Sequence, residues 1–130
     1  MLLAACAALI DPWAVNIVEL IEGAMSEDDI AVWIEGREIS DGELFIHANR
    51  IVARLRKWPN WPESGVPRIG LLAPNGLNYV AVALAVLKAG GCLVPVATEM
   101  VGPERAELAR ITALHAVLLL DGYEWPGERV

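Results

Sequence analysis

Residues 69–97, IGLLAPNGLNYVAVALAVLKAGGCLVPVA, decide the fold. Residues 69–73 form a short apolar run, Pro74-Asn75-Gly76 is a turn, and 77–89 has helical length. Gly90 can end that helix in the left-handed conformation, and Lys88 in its last turn suits the negative end of the helix dipole. Residues 92–96 then give a second apolar strand. Pro103 opens another helix, PERAELARITAL, and 116–120 is a third strand that ends at Asp121-Gly122. Strand-helix-strand-helix-strand with short turns predicts an α/β fold, with a parallel sheet and right-handed crossovers.

The helix over 77–89 is apolar at nearly every angle, and Asn78, Tyr79 and Lys88 are its only polar members. A helix of that kind is buried on all sides, whereas three strands can cover only one. The pattern therefore predicts a further layer, from a second copy or from protein outside this chain, and with it self-association.

Upstream, DPWAVNIVELIEG predicts a helix over 11–23, with Asp11 as cap, Pro12 at the first helical position and Gly23 as its left-handed end. Trp13, Ile17, Leu20 and Ile21 share one face, which predicts docking through that stripe. In IAVWIEGREIS, residues 30–40, an apolar run over 30–34, the turn signal Glu35-Gly36 and a return over 37–39 predict a small hairpin. Ser40 and Glu43 then fit a capping box, the Ser accepting from the helix and the Glu reaching back to the Ser N–H. The helix that follows places Leu44, Ala48, Ile51, Val52 and Leu55 on one side, with Arg50, Arg54 and Lys57 mainly on the other. KWPNWPESGVP, residues 57–67, is a proline-rich loop whose Trp58 and Trp61 cover a core edge. They lack the interleaved basic residues of a base-stacking platform. The expected organisation over 1–130 is a single subdomain: helix 11–23, hairpin plus helix 30–57, loop 58–67 and βαβαβ unit 68–122.

Composition narrows the function classes. The chain has 130 residues, 55% of them hydrophobic, and a formal charge of −7; its mean hydropathy is +0.44. That charge excludes nucleic acid and anionic membrane surfaces as partners, because phosphate binding needs clustered Lys and Arg. No uninterrupted apolar run approaches the roughly 20 residues that span a bilayer. LAAC at residues 3–6 imitates a lipid-attachment box, but only five residues precede Cys6 and a signal needs a longer apolar core. Cys6 and Cys92 have no metal-ligand spacing and read as buried reduced thiols, which places the chain in the cytoplasm.

Little chemistry is visible. The glycines at 70, 76, 90 and 91 spell neither phosphate-binding loop. His47 and His115 lack neighbours at ligand spacing, and Ser26, Ser40 and Ser64 lack a nucleophile-elbow context. SEDD at 26–29 is a solvated loop. No catalytic, cofactor-binding or metal-binding residue is assigned.

The order of these segments resembles the opening of the adenylate-forming ligases: acyl- and aryl-CoA synthetases, peptide-synthetase adenylation domains and luciferases. In AVWIEGREISDGELFIHANRIVARL the matching positions are Gly36, Ser40, Glu43, Leu44, Asn49 and Leu55, with Gly42 where that family usually has Tyr. In RIGLLAPNGLNYVAVALAVLKAGGCLVPVAT they are Asn75, Tyr79, Lys88, Gly90 and Pro95, with Pro67-Arg68 where an Asp is usual. PERAELARITALHAVLLLDG is similar to the helix and strand that come next, so the likeness covers residues 12–122.

The resemblance implies the N-terminal subdomain of a larger domain that makes an acyl-AMP from ATP and a carboxylate. A thioester on CoA or a carrier-protein thiol would follow. ATP, Mg and CoA are then cofactors of the complete enzyme and not of this chain, because the family's nucleotide loop, ribose contact, acid pocket and catalytic Lys lie beyond the matched segments. The implied partner is the remainder of the ligase, in the same polypeptide or as a separate subunit, and the chain alone would be inactive. A truncated relative that dimerises or docks without catalysis is the alternative. A flavodoxin- or receiver-type module is the weaker rival, given the leading helix and hairpin and no acidic cluster at the strand ends.

Overall fold

The computed structural model describes residues 16–120 and 122–125. Along them run α1 (Ile17–Ala24), β1 (Ile30–Ile34), β2 (Arg37–Ser40), α2 (Asp41–Arg56), β3 (Arg68–Leu72), α3 (Leu77–Lys88), β4 (Cys92–Pro95), α4 (Gly102–Thr112) and β5 (Ala116–Leu119). β1 and β2 form an antiparallel hairpin, and the other strands form a parallel sheet in the order β4-β3-β5. The α/β architecture expected from the sequence is the one observed.

β3 is the centre of the sheet, and the apolar run that marked it is buried from Ile69 to Ala73. Successive side chains of a strand point to opposite faces. Ile69, Leu71 and Ala73 meet Val82, Ala85 and Val86 of α3 and Val52 and Leu55 of α2 on one face. Gly70 lies on the other, where an added Cβ would stand 2.9 Å from Leu114 Cδ1. The missing side chain is what lets Leu114 close over the strand.

Four expectations about the helices and their caps need correction. The first concerns α3, which is covered from within the chain. Beyond the sheet, α2 lies along it, and Ala81 joins Ile39 and Leu44 in a second cluster to which Leu77, Val80 and Leu84 contribute. α1 packs on it as well. Asn78 is the only exposed residue of α3. The helical wheel was right that every side is apolar; the extra layer is the hairpin and the two helices upstream.

The second and third concern α1. Asp11, Pro12 and Trp13 lie outside the described residues, and the described helix begins at Ile17 behind Asn16, whose Oδ1 accepts from the N–H of Val18 and of Glu19. Gly23 lies inside the helix, which runs on to Ala24 and ends at an extended Met25. The expected docking stripe points outward: Ile17 is 63%, Leu20 59% and Ile21 47% exposed, while Val18 is buried at 1%. Hydrophobic spacing located the larger apolar face, but α1 is seated by polar contacts on its opposite side, described below.

The fourth is the capping box before α2. Ser40 Oγ accepts from the N–H of Glu43 at 3.1 Å as expected. The Glu43 carboxylate instead accepts from Arg37 Nη1 at 3.2 Å, because the hairpin brings a guanidinium within reach. The hairpin turn itself is as expected, with Glu35 and Gly36 both in the left-handed region.

Candidate functional site

Two places gather side chains from distant parts of the chain. The first is a cavity of about 840 Å³ open along β5. It is lined by Val117 to Leu120, by Ile51, Leu55 and Trp58, by Val82 of α3 and by Trp125. His47, Arg54 and Asn78 form the polar rim, where His47 Nε2 and Asn78 Oδ1 stand 3.1 Å apart. The site exists because α2 presents an amphipathic face to the sheet and β5 is the last strand on that side. Chemically it offers apolar surface and a strand edge. Among the described residues no nucleophile or carboxylate lines it.

The second is a polar clamp at the C-terminal end of α3. Lys88 Nζ donates to Glu22 Oε2 of α1 and, at 2.7 Å, to Asn49 Oδ1 of α2. Asn49 Nδ2 donates to the other Glu22 oxygen at 3.0 Å. Asn16 Nδ2 donates to the carbonyls of Leu87 and Lys88, which the end of a helix leaves without intrahelical partners. Hydrogen bonds from Lys88 and then Asn49, with the Lys88 charge, hold the Glu22 carboxyl below its ordinary range against the opposing effect of burial. Of the positions carried by the family resemblance, Asn49 and Lys88 are thus brought together. Glu22 and Asn16 escaped the sequence reading; an Asn one residue ahead of an apolar helical run was the available cap signal.

The other candidates have local structural work. His115 Nδ1 accepts from the backbone N–H of Arg68 at 3.0 Å and so helps to start the β3–β5 pairing. A shallower hollow of about 530 Å³ beside α2 is lined by Glu27, Asp28, Glu43, His47 and Arg50. Among the described residues no group of three or more His, Cys, Asp or Glu side chains is placed to hold a metal ion. No helix among them is long and apolar enough to cross a membrane. Cys92 is exposed, not buried as its hydrophobic context suggested, because it starts the edge strand β4.

Comparison with known proteins adds kinship. No protein-family model matches the chain. It is 37% identical over 90 residues, 69% of its length, to tyrocidine synthase 3 of Brevibacillus parabrevis, of which it spans 1%. The N-terminal subdomain of Klebsiella oxytoca NpsA has the same fold, with a TM-score of 0.74 at 18% identity over 88% of this chain and 29% of that one. MatB from Rhodopseudomonas palustris superposes with a TM-score of 0.68 at 20% identity, over 78% of this chain and 20% of its own. The chain therefore spans less than a third of each of these relatives.

Proposed function

We propose that this chain, an N-terminal subdomain of the adenylate-forming ligase superfamily, is the scaffold portion of an ATP-dependent acid-activating enzyme. The complete enzyme would join a carboxylate to AMP, release pyrophosphate and pass the acyl group to a thiol of CoA or of a carrier protein. The observation that carries this reading is the 37% identity to tyrocidine synthase 3, which runs over most of the chain. The share of the work follows from the site. Acyl-AMP formation needs donors placed where charge develops on the α-phosphate; the described cavities are an apolar groove and a hollow whose charged lining is mostly carboxylate, and neither gathers such an array of donors. ATP, Mg and the thiol are accordingly held by the remainder of the ligase, and this chain supplies the sheet and helices on which that remainder folds.

The test is acid-dependent pyrophosphate exchange. The chain alone should give the no-enzyme background with a panel of aliphatic, aromatic and amino acids. Mixed with the stretch of tyrocidine synthase 3 that follows the matched 90 residues through its ligase domain, it should give exchange that neither piece shows alone. Exchange by the chain alone, or none by the mixture, overturns the reading.

A further inference from the structure

We infer that the outer face of the β1–β2 hairpin, centred on Trp33, is a docking surface for a polypeptide segment rich in Lys and Arg. The function proposed above does not draw on this face, so the two stand or fall separately. Successive side chains of a strand point to opposite faces. On the inner face Val32, Ile34 and Ile39 pack with Leu44 and Ala81. On the outer face Trp33 stands opposite Glu38, and its side chain is 65% exposed. A single exposed aromatic needs no explanation by itself. Its surroundings select the partner. Residues 27–43 hold seven of the 17 carboxylates of the chain and one of its 10 cations, so six of its seven net negative charges lie in this stretch. Asp41 and Glu43 occupy the first turn of α2, where the helix dipole favours them. Glu27, Asp28, Asp29, Glu35 and Glu38 lie outside that helix, and all five are exposed. Among the described residues the single ion pair in this stretch is that of Arg37 with Glu43.

The backbone holds these like charges together. The Asp41 N–H donates to the Asp29 carbonyl at 2.8 Å and the Gly42 N–H to that of Glu27 at 3.1 Å, which fastens the acidic loop to the start of α2. Gly42 permits the approach, since a Cβ there would stand 3.1 Å from the same Glu27 oxygen. Carboxylates fixed at this density repel one another, and a cationic partner relieves the repulsion. Trp33 adds what charge alone lacks, an aromatic face over which a guanidinium or ammonium group can sit. Glu38, its cross-strand neighbour, supplies a carboxylate beside the ring for the same cation. From Asp29 to Glu35 an extended strand covers about 20 Å, enough to engage several basic residues of one segment. The charge excludes nucleic acid and anionic lipid as occupants. A second copy would offer only Arg56 and Lys57 side by side, with Arg54 lining the β5 groove, too few cations to match this face.

The experiment is fluorescence anisotropy of a short dye-labelled peptide of alternating Arg and Ser, titrated with the whole chain at rising salt. Binding should saturate, weaken as salt rises, and be absent for the same peptide with Gln in place of Arg. Trp33→Leu, which keeps an apolar side chain but removes the aromatic face, should weaken binding about threefold or more. Glu35→Lys combined with Glu38→Lys should weaken it about tenfold or more. Glu19→Lys combined with Glu99→Lys changes the net charge equally at exposed positions off the hairpin and should stay within about twofold of the parent chain. Circular dichroism confirms that each variant is folded. Equal losses from the two charge-reversed pairs would show attraction to net charge alone and overturn the surface. An affinity untouched by Trp33→Leu, binding of the Gln peptide, or no binding of the Arg peptide would overturn it too. Self-association of the chain that the peptide displaces would make a second copy the occupant and likewise overturn the inference.

Discussion

Lys88 and Glu22, 66 residues apart in sequence, form the pair that fastens α1 to α3, and Asn49 bonds to both. The Lys88 side chain is 15% and that of Glu22 29% exposed. Such a pair lies between surface bridges, worth up to about 1 kcal/mol, and fully buried ones, where losing one partner costs about 3–5 kcal/mol. Glu22→Gln and Lys88→Met should each cost about 1–2 kcal/mol in urea unfolding. The double variant should cost less than their sum by about 0.5 kcal/mol or more. Strict additivity would mean that the two groups do not support one another.

The same pair sets a pH dependence. The folded carboxyl of Glu22 is held below its unfolded value, so the unfolded chain binds the proton more readily. Its contribution is present in full above the ordinary carboxylate range and is lost as pH falls through the lowered folded value. The stability difference between the chain and its Glu22→Gln variant should therefore be constant from pH 7 down to about pH 5 and shrink below it. A difference that grows on acidification would reverse the assigned direction.

α1 offers a sharper contrast, because its most hydrophobic residues do not hold it. Ile17→Lys, Leu20→Lys and Ile21→Lys should each change the stability of the chain alone by no more than about 0.5 kcal/mol, as surface substitutions do. Val18→Ala, which removes two methyl groups from a fully buried side chain, should cost about 1–2.5 kcal/mol. Thermal or urea unfolding ranks the four, and a large loss from any of the three lysine substitutions would mean that the stripe is covered after all.

That contrast also marks how far the sequence reaches. The βαβαβ unit was legible because its strands and helices alternate with clear turn chemistry. The Ser40 cap and the Glu35-Gly36 turn were legible because single residue types dominate those positions. What failed was choosing between surfaces. The wheel of α3 shows that it is buried but not by what, since α2 and α1 reach it across dozens of residues. The stripe of α1 shows an apolar face without showing that Asn16 and Glu22 seat the helix from the other side. Lys88 was assigned to the helix dipole, a local role, when its partners come from α1 and α2. The β5 groove left no signature, because it forms only where three separate segments meet at a sheet edge.

Two glycines that sequence patterning treats alike should respond differently to one methyl group. At Gly70 a Cβ would come within 2.9 Å of Leu114 Cδ1 and 3.3 Å of Val117 Cγ2, both of them the ends of side chains. At Gly91 it would stand 2.9 Å from Val86 Cγ1, 3.2 Å from Trp61 and 3.1 Å from the carbonyl oxygen of Val86. That oxygen accepts the Gly91 N–H at 2.9 Å in the turn that closes α3 onto β4. A side chain can change rotamer, but a carbonyl in a hydrogen-bonded turn cannot yield without moving the helix end. Gly70→Ala should therefore cost about 1 kcal/mol and Gly91→Ala about 2–3 kcal/mol, the upper part of the overpacking range. Leu114→Ala makes room at the first site, so combined with Gly70→Ala it should cost less than the sum of the two single changes. Val86→Ala relieves only the side-chain clash at the second site and should rescue Gly91→Ala only in part. Equal costs at the two positions, measured by urea unfolding, would show that the turn after α3 gives way as readily as a leucine rotamer.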